Sequence, residues 1–324
     1  MSTPSLPLRL GTRGSQLALY QANTVARLIE AAGAPRPEIV IIKTSGDRLQ
    51  ELPLSEVGGK RLFVKELEDA LLNREIDLAV HSSKDMPAIL PPELMIAGVL
   101  PRADPRDAVV LPYRGGADHQ VGSMSELVAR IGPAASIGTS SVRRVAQLTR
   151  AWPHARFSAI RGNLDTRLRK LDRGEYDVLV LAAAGLIRLG FEQRISLTLP
   201  LDVSVPAPGQ GVIAIEIRRG DAVTQQPVAL ITDGNTASVL AAERALVETL
   251  GGGCQTPIGA LATVEGADQL HLVGLVVSLD GRAEARAEGR GPITEAEVLG
   301  TRVAHALLAQ GAASILEGAR HAQS

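Results

Sequence analysis

The chain has 324 residues, room for two or three domains, and with 45% apolar but only 2% aromatic residues its cores must be built from Leu, Val, Ile and Ala. A formal net charge of −1 excludes the global basic field of a nucleic-acid scaffold. No stretch approaches the roughly 18 uncharged apolar residues of a membrane span, and the start, MSTPSLPLRL, lacks a signal-peptide core, so the cytoplasm is expected.

Leu8 to Leu10 is a short alternating run leading into Gly11-Thr12-Arg13-Gly14-Ser15. A helical pattern follows from Gln16 to Ala32, with Ser15 as N-cap and Gly33 just past the end. Glu38 to Lys43 reads as a strand, Leu62 to Asn73 as a helix, and Ile76 to Val80 as a strand ending in His81-Ser82-Ser83-Lys84-Asp85-Met86-Pro87. Such alternation predicts a parallel-type sheet with helices on both faces, and a ligand crevice at the strand C-terminal ends.

After the break Pro101-Arg102-Ala103-Asp104-Pro105 the grammar restarts. A strand at Ala135 to Ile137 precedes a helix opened by Gly138-Thr139-Ser140-Ser141 and running through Trp152. Phe157 to Ile160, a helix from Leu164 to Asp172, and a strand from Asp177 to Leu181 follow, the last ending in a turn at Ala183-Ala184-Gly185. Beyond a Pro-rich crossing, Pro200 to Gly211, the strand Val212 to Ile217 is placed to rejoin the first sheet. Thr236 to Leu250 reads as a helix, Ile258 to Thr263 and Leu270 to Leu279 as strands, Asp280-Gly281 as a hairpin turn, and one long C-terminal helix begins near Thr294. The expected fold class is α/β: residues 1–101 with 212–231 as domain 1, 102–211 as domain 2, both α/β, and 232–324 as a small α+β domain 3.

Five lysines stand against 29 arginines, whose planar forks grip carboxylate or phosphate. Ser140-Ser141-Val142-Arg143-Arg144 sets two of them in a helical first turn, where positive charge opposes the helix dipole but a ligand anion would be held well. Arg161 and Arg167 flank a second strand-to-helix turn and Arg188 follows a third strand. Solvated surface arginines are the plain alternative. Gly58-Gly59-Lys60 lacks P-loop spacing, and Ser45 to Arg61 reads either as a charged lid or as an ordinary surface loop. Asp85 beside Lys84 is the sharpest acid/base candidate, with a structural salt bridge as its alternative; His81 by itself reads as a buried, satisfied histidine. No Ser-His-Asp ordering, HExxH pattern or metal-ligand spacing is present.

Cys254, the only cysteine, lies in Gly251-Gly252-Gly253-Cys254-Gln255-Thr256-Pro257-Ile258-Gly259. It cannot form an intramolecular disulfide or supply a structural zinc site alone. Following a helix C-terminus, it gains no help in lowering its thiol pKa. The glycine loop therefore suits attachment of a group to sulfur better than a turning-over thiolate; a small buried hydrophobe is the alternative.

Eight segments in order, LRLGTRGSQLAL, VGGKRLFVKELE, DLAVHSSKDMP, IGTSSVRRVAQL, IRGNLDTRL, LAAAGLIRLG, PAPGQG and GGGCQTPIG, resemble the porphobilinogen deaminase (hydroxymethylbilane synthase) family over nearly the whole chain. The resemblance implies a transferase of tetrapyrrole and heme biosynthesis that joins four porphobilinogen molecules head to tail, releasing ammonia each time, and frees the linear product with water. It implies a dipyrromethane cofactor on a thioether to Cys254, two domains of periplasmic-binding-protein type with the cofactor loop reaching into their cleft, and a monomer with no nucleic-acid, membrane or metal partner. By the same resemblance Asp85 is the catalytic aspartate. Arg13, Ser15, Lys84, Arg143, Arg144, Arg161, Arg167 and Arg188 match binders of cofactor and substrate carboxylates. Ser141 and Gln210 lie in matching motifs and Lys60 matches a lid lysine. Glu56 and Arg61 depart from the family pattern there. Two other classes fit parts of the chain: a non-catalytic two-lobed anion binder, which leaves Asp85 and Cys254 idle, and a thiol enzyme, for which Cys254 has no evident base.

Overall fold

The computed structural model describes residues 7–43, 64–113, 120–253 and 255–322. Lys60, Glu56, Arg61 and Cys254 lie outside them. In chain order the elements are β1 (Arg9–Thr12), α1 (Gln16–Ala31), β2 (Glu38–Ile41), α2 (Lys65–Leu72), β3 (Leu78–Ser82), β4 (Leu94–Val99), β5 (Asp107–Val110), α3 (Met124–Ile131), β6 (Ser136–Gly138), α4 (Val142–Ala151), β7 (Arg156–Ser158), α5 (Leu164–Asp172), β8 (Val178–Ala182) and α6 (Ala183–Arg188). They continue with β9 (Leu197–Thr198), β10 (Ile213–Arg218), α7 (Ala222–Leu230), α8 (Gly234–Thr249), β11 (Ile258–Glu265), β12 (Gln269–Val277), β13 (Glu284–Pro292), α9 (Ala296–Ala309) and α10 (Ala312–His321). No helix among the described residues is long and apolar enough to cross a membrane.

The chain divides into two compact units: Met1–Arg102 with Val212–Ser238, and Ala103–Gly211 with Val239–Ser324. The first holds a sheet in the order β2-β1-β3-β10-β4, with β1 parallel to β2 and β3, and β10 antiparallel to β3 and β4. Successive strand residues point to opposite faces. Leu10, Leu78, Val80, Ile213, Ile215 and Ile217 thus meet Ala22, Val25, Ala26 and Ile29 of α1. Ala79 and Leu94 pack with Leu67, Ala70 and Leu71 of α2. Ser15 caps α1 by accepting from Ala18 N at 3.3 Å, and Gly33, at φ 90°, closes its end. The return of the strand after the Pro-rich crossing to this sheet is as expected, although its antiparallel direction makes the sheet mixed rather than parallel.

The second unit repeats the wiring. Its sheet runs β7-β6-β8-β5-β9, with β6 parallel to β7 and β8, and β5 antiparallel to β8 and β9. The antiparallel sheet β11-β12-β13 belongs to the same unit. Leu261, Leu275 and Val277 of that sheet pack with Ala146 of α4 and Val205 of the Pro-rich crossing. The fully buried Glu243 carboxylate of α8 accepts from Gly209 N and Ala262 N, both at 2.7 Å, tying the crossing to β11. Two expectations change here. The turn at Ala183-Ala184-Gly185 is the opening of α6, and the long C-terminal helix is two, broken at Gly311, whose φ of 89° no continuing helix adopts.

Candidate active site

In the first unit, the turns after β1 and β3 emerge side by side at the C-terminal edge, because those strands are parallel neighbours. They line one recess of about 440 Å³, open to solvent, with Arg13, Ser15, Gln21, His81, Ser82 and Asp85 in its wall. Asp85 ends the one-turn helix Ser83–Asp85 and is exposed, while Arg13 and Lys84 are half-buried. Gln21 Nε2 donates to Ser82 Oγ at 2.8 Å, fixing the floor between α1 and β3. Three of the expected site residues, Arg13, Ser15 and Asp85, are thus brought together, with Lys84 next in chain to the aspartate.

The corresponding turn of the second unit does something else. Ser141 caps α4, accepting from Arg144 N at 3.4 Å, but the guanidinium groups of Arg143 and Arg144 point inward and are only 3% and 7% exposed. Asp107, with no exposure, receives Arg143 Nη1 at 2.8 Å and Nη2 at 3.1 Å, and Arg144 Nε at 2.9 Å and Nη2 at 2.8 Å. Ser204 Oγ and Gln210 Nε2 donate to the same carboxylate at 2.7 and 2.9 Å. Burial would raise the Asp107 pKa; the two guanidinium charges and their hydrogen bonds outweigh it and hold the carboxyl far below its usual range. Burial lowers the Arg143 pKa against the pull of Asp107, but a guanidinium so basic stays charged. In this structure the anion that both forks hold is the chain's own.

Arg161 and Arg167 flank the turn after β7, both half-buried. Arg167 Nε donates to Gly162 O at 2.8 Å, across a glycine at φ 105°, and Arg188 Nη2 donates to Gly211 O at 2.7 Å. On either side of Cys254 the backbone is tightly wound. Gly251 N bonds Glu248 O at 2.9 Å, Gly252 N bonds Val247 O at 3.0 Å, and Thr256 N bonds Gly253 O at 3.0 Å.

The family model described as porphobilinogen deaminase, dipyromethane cofactor binding domain, matches residues 8–226, and that of the porphobilinogen deaminase C-terminal domain matches residues 237–309. The chain is 45% identical to the porphobilinogen deaminase of Pelobacter propionicus, covering 97% of each chain. It is 46% identical to that of Acidithiobacillus ferrooxidans, covering 97% of this chain and 99% of the other. This chain belongs to the porphobilinogen deaminase family. Among solved structures, the Bordetella pertussis BvgS VFT2 domain is similar at 16% identity with a TM-score of 0.40, covering 74% of this chain and 91% of that one.

The recess fits the cofactor of a porphobilinogen deaminase by the chemistry of its donors. A dipyrromethane bears carboxylates and pyrrole N–H groups, and the recess lining offers a guanidinium, a hydroxyl and an exposed carboxylate to meet them. Sequence reasoning missed Asp107, Gln21 and Glu243. Asp107 stands two residues past the break Pro101 to Pro105, in a stretch assigned to no element, and nothing local signals a partner 36 residues away. A signal did exist for it: two arginines in a first helical turn need an anion, and the chain can supply one as readily as a ligand.

Proposed function

We propose that coupling of porphobilinogen takes place at the recess of the first unit, with Asp85 as the catalytic residue and Cys254 as the attachment point of the dipyrromethane. The enzyme joins four porphobilinogen molecules head to tail with loss of ammonia and releases hydroxymethylbilane by hydrolysis. The cofactor, when bound, supplies the terminal pyrrole at which the chain starts. An Asp85 oxygen accepts the pyrrole N–H of the incoming unit. It stabilises the positive charge left on that ring when ammonia departs, then assists removal of the ring proton displaced by coupling. Arg13, Ser15 and Lys84 neutralise and orient carboxylates close to that aspartate. Arg161, Arg167 and Arg188 serve the lengthening chain, since each added pyrrole brings an acetate and a propionate. Ser141 and Gln210 hold the arginine pair, and Lys60 is assigned to a lid. The protein acts as a cytoplasmic monomer on a small-molecule substrate.

The observation that carries this reading is the meeting of Arg13, Ser15 and Asp85 in one recess at the strand C-terminal ends. Its test is the intact mass of the purified protein under denaturing conditions. The expected mass exceeds that of the sequence by two pyrrole units in the native protein and matches the sequence in Cys254→Ala, which should fold and turn over negligibly. A pyrrole adduct retained by Cys254→Ala would place the attachment elsewhere. An unmodified native chain would favour the anion-binding or thiol-enzyme class.

A further inference from the structure

One wall residue of the recess has no part in the chemistry above. His81 is 6% exposed and lines the recess beside Arg13, Ser15 and Asp85. On its hidden side stands Glu216 of β10, with no exposure at all. The register sets His81 opposite Ala214 and Ala79 opposite Glu216, so the two side chains are diagonal neighbours on one sheet face. His81 Nε2 lies 3.0 Å from Glu216 Oε2. The approach is a charge contact rather than an aligned hydrogen bond: Nε2 and both Glu216 oxygens lack a hydrogen-bond partner among the described residues. Among the described residues, Arg13 and Asp85 stand with His81 in the recess lining, Lys84 is the neighbour of Asp85 in the chain, and Glu66 and Glu68 lie on α2, which packs on the same face.

A carboxylate so enclosed is costly unless it is charge-compensated, and the imidazole is the group within reach. With Nε2 turned to Glu216, Nδ1 is the ring nitrogen left to meet a ligand. A carboxylate behind one nitrogen of a histidine fixes the ring, and an imidazolium, which donates through both nitrogens, can serve that carboxylate and a ligand carboxylate at once. The recess already has the donors of a carboxylate site in Arg13 and Ser15. We propose that His81 is a further ligand-binding residue of the recess, donating to a carboxylate of the pyrrole substrate, and that Glu216 is the positioning residue that holds it to that task. The proposal rests on the recess being the coupling site.

Steady-state kinetics with porphobilinogen on Glu216→Gln, His81→Gln and the double variant test it, alongside thermal melts and denaturing mass spectra. Glu216→Gln removes the charge at constant size, so KM should rise about tenfold with kcat within about twofold, the fold-change of one charged hydrogen bond. The double variant should be no worse than His81→Gln alone, because Glu216 acts through the histidine. Glu216→Asp, which keeps the charge, should recover part of the loss. In 15N-histidine-labelled Asp85→Asn protein, porphobilinogen should shift the His81 ring signals, and the shift should vanish when Glu216→Gln is added. An unchanged KM in Glu216→Gln, additive losses in the double variant, or ring signals indifferent to substrate would each overturn the proposal. If Glu216→Gln fails to fold, His81→Gln and the labelled Asp85→Asn protein decide. A native protein without adduct or turnover would instead condemn the reading of the recess itself.

Discussion

In the first unit the ionic network lies at the N-terminal edge of the parallel strands. There Arg9 meets Asp77 at 2.9 Å, and Arg218 meets Asp77 at 3.3 Å and Asp221 at 2.7 Å. In the second unit it lies at the C-terminal edge, where Arg143 and Arg144 share Asp107. The wiring of the two sheets is the same, so equivalent positions can be compared. The first residue of the antiparallel strand is Asp107 opposite Ala182 in one sheet, and Ile213 opposite Ser82 in the other. An internal anion at that edge draws neighbouring arginines into the protein. An isoleucine there leaves charged and polar residues of the turns half-exposed and able to receive a ligand. One register position thus separates an edge whose paired arginines turn inward from an edge whose turn residues stay accessible.

The sharpest break of this comparison is Asp107→Asn. It keeps the shape and strips the charge from a carboxylate that compensates two buried guanidinium groups, and removal of one partner from a buried pair costs about 3–5 kcal/mol. The denaturant midpoint should fall accordingly with an unchanged slope. The folded pKa of Asp107 is depressed, so its contribution is complete above the unfolded value of about 3.9 and declines as pH falls below it. Native protein should therefore lose stability on acidification below about pH 4 more steeply than Asp107→Asn. A loss under about 1 kcal/mol would make the network decorative.

Asp85→Asn is the opposite case. Its side chain is exposed, so stability should stay within about 0.5 kcal/mol of native. Turnover should fall at least about 10²-fold, because the charge that offsets the pyrrole cation is gone. Asp85→Glu keeps the charge at the wrong reach and should retain more activity than Asn. Equal losses in both, with the cofactor in place, would mean that geometry rather than charge carries the effect.

What the sequence made legible follows from this contrast. The helix from Leu164 to Asp172 and the Ser15 cap are local features, set by periodicity and by a side chain three residues from its partner, and they are found where expected. The strand Ile76 to Val80 is displaced to Leu78–Ser82, because Asp77 is held at the strand's mouth by Arg9, 68 residues away. The four-residue β5, flanked by Pro and Asp, carries too short a pattern to outvote its breakers, so Asp107 went with it. Arginine placement at strand-to-helix turns was visible; the direction each arginine faces was not, since that depends on which cross-strand residue sits beneath.

Arg167 lies half-buried on α5, just past the turn after β7. Arg167→Ala removes a charged donor worth about 1.5–3 kcal/mol, enough to slow one elongation step roughly ten- to a hundredfold. Elongation is sequential, so an arginine needed late should let loading proceed and pile up the preceding covalent species. Denaturing mass spectrometry after substrate addition should show partly extended forms enriched. A ladder in native proportions would return Arg167 to the class of structural arginines represented by Arg143.

The smallest effect is expected at the N-terminal edges, where the comparison is most nearly symmetrical. Asp77 precedes β3 and Asp177 precedes β8, and each accepts from the backbone of the parallel neighbour, Arg9 N of β1 at 2.8 Å and Ser136 N of β6 at 2.8 Å. Only Asp77 adds arginine pairing from Arg9 and Arg218 among the described contacts. Burial raises its pKa, but the Arg9 hydrogen bonds and charge reverse that and leave it lowered. Asp77→Asn should cost about 0.5–1 kcal/mol, because Arg9 is 41% exposed and solvent screens the pair. The cost should shrink in 1 M salt, where the screening length is about 3 Å. The loss should appear above about pH 4 and fade below it, since a depressed carboxylate stabilises only while ionised. Asp177→Asn, which keeps an acceptor for Ser136 N, should cost less than Asp77→Asn in the same urea titration. Equal costs would show that the backbone hydrogen bond, common to both sheets, does the holding, and that the arginines of the first unit add nothing at this edge.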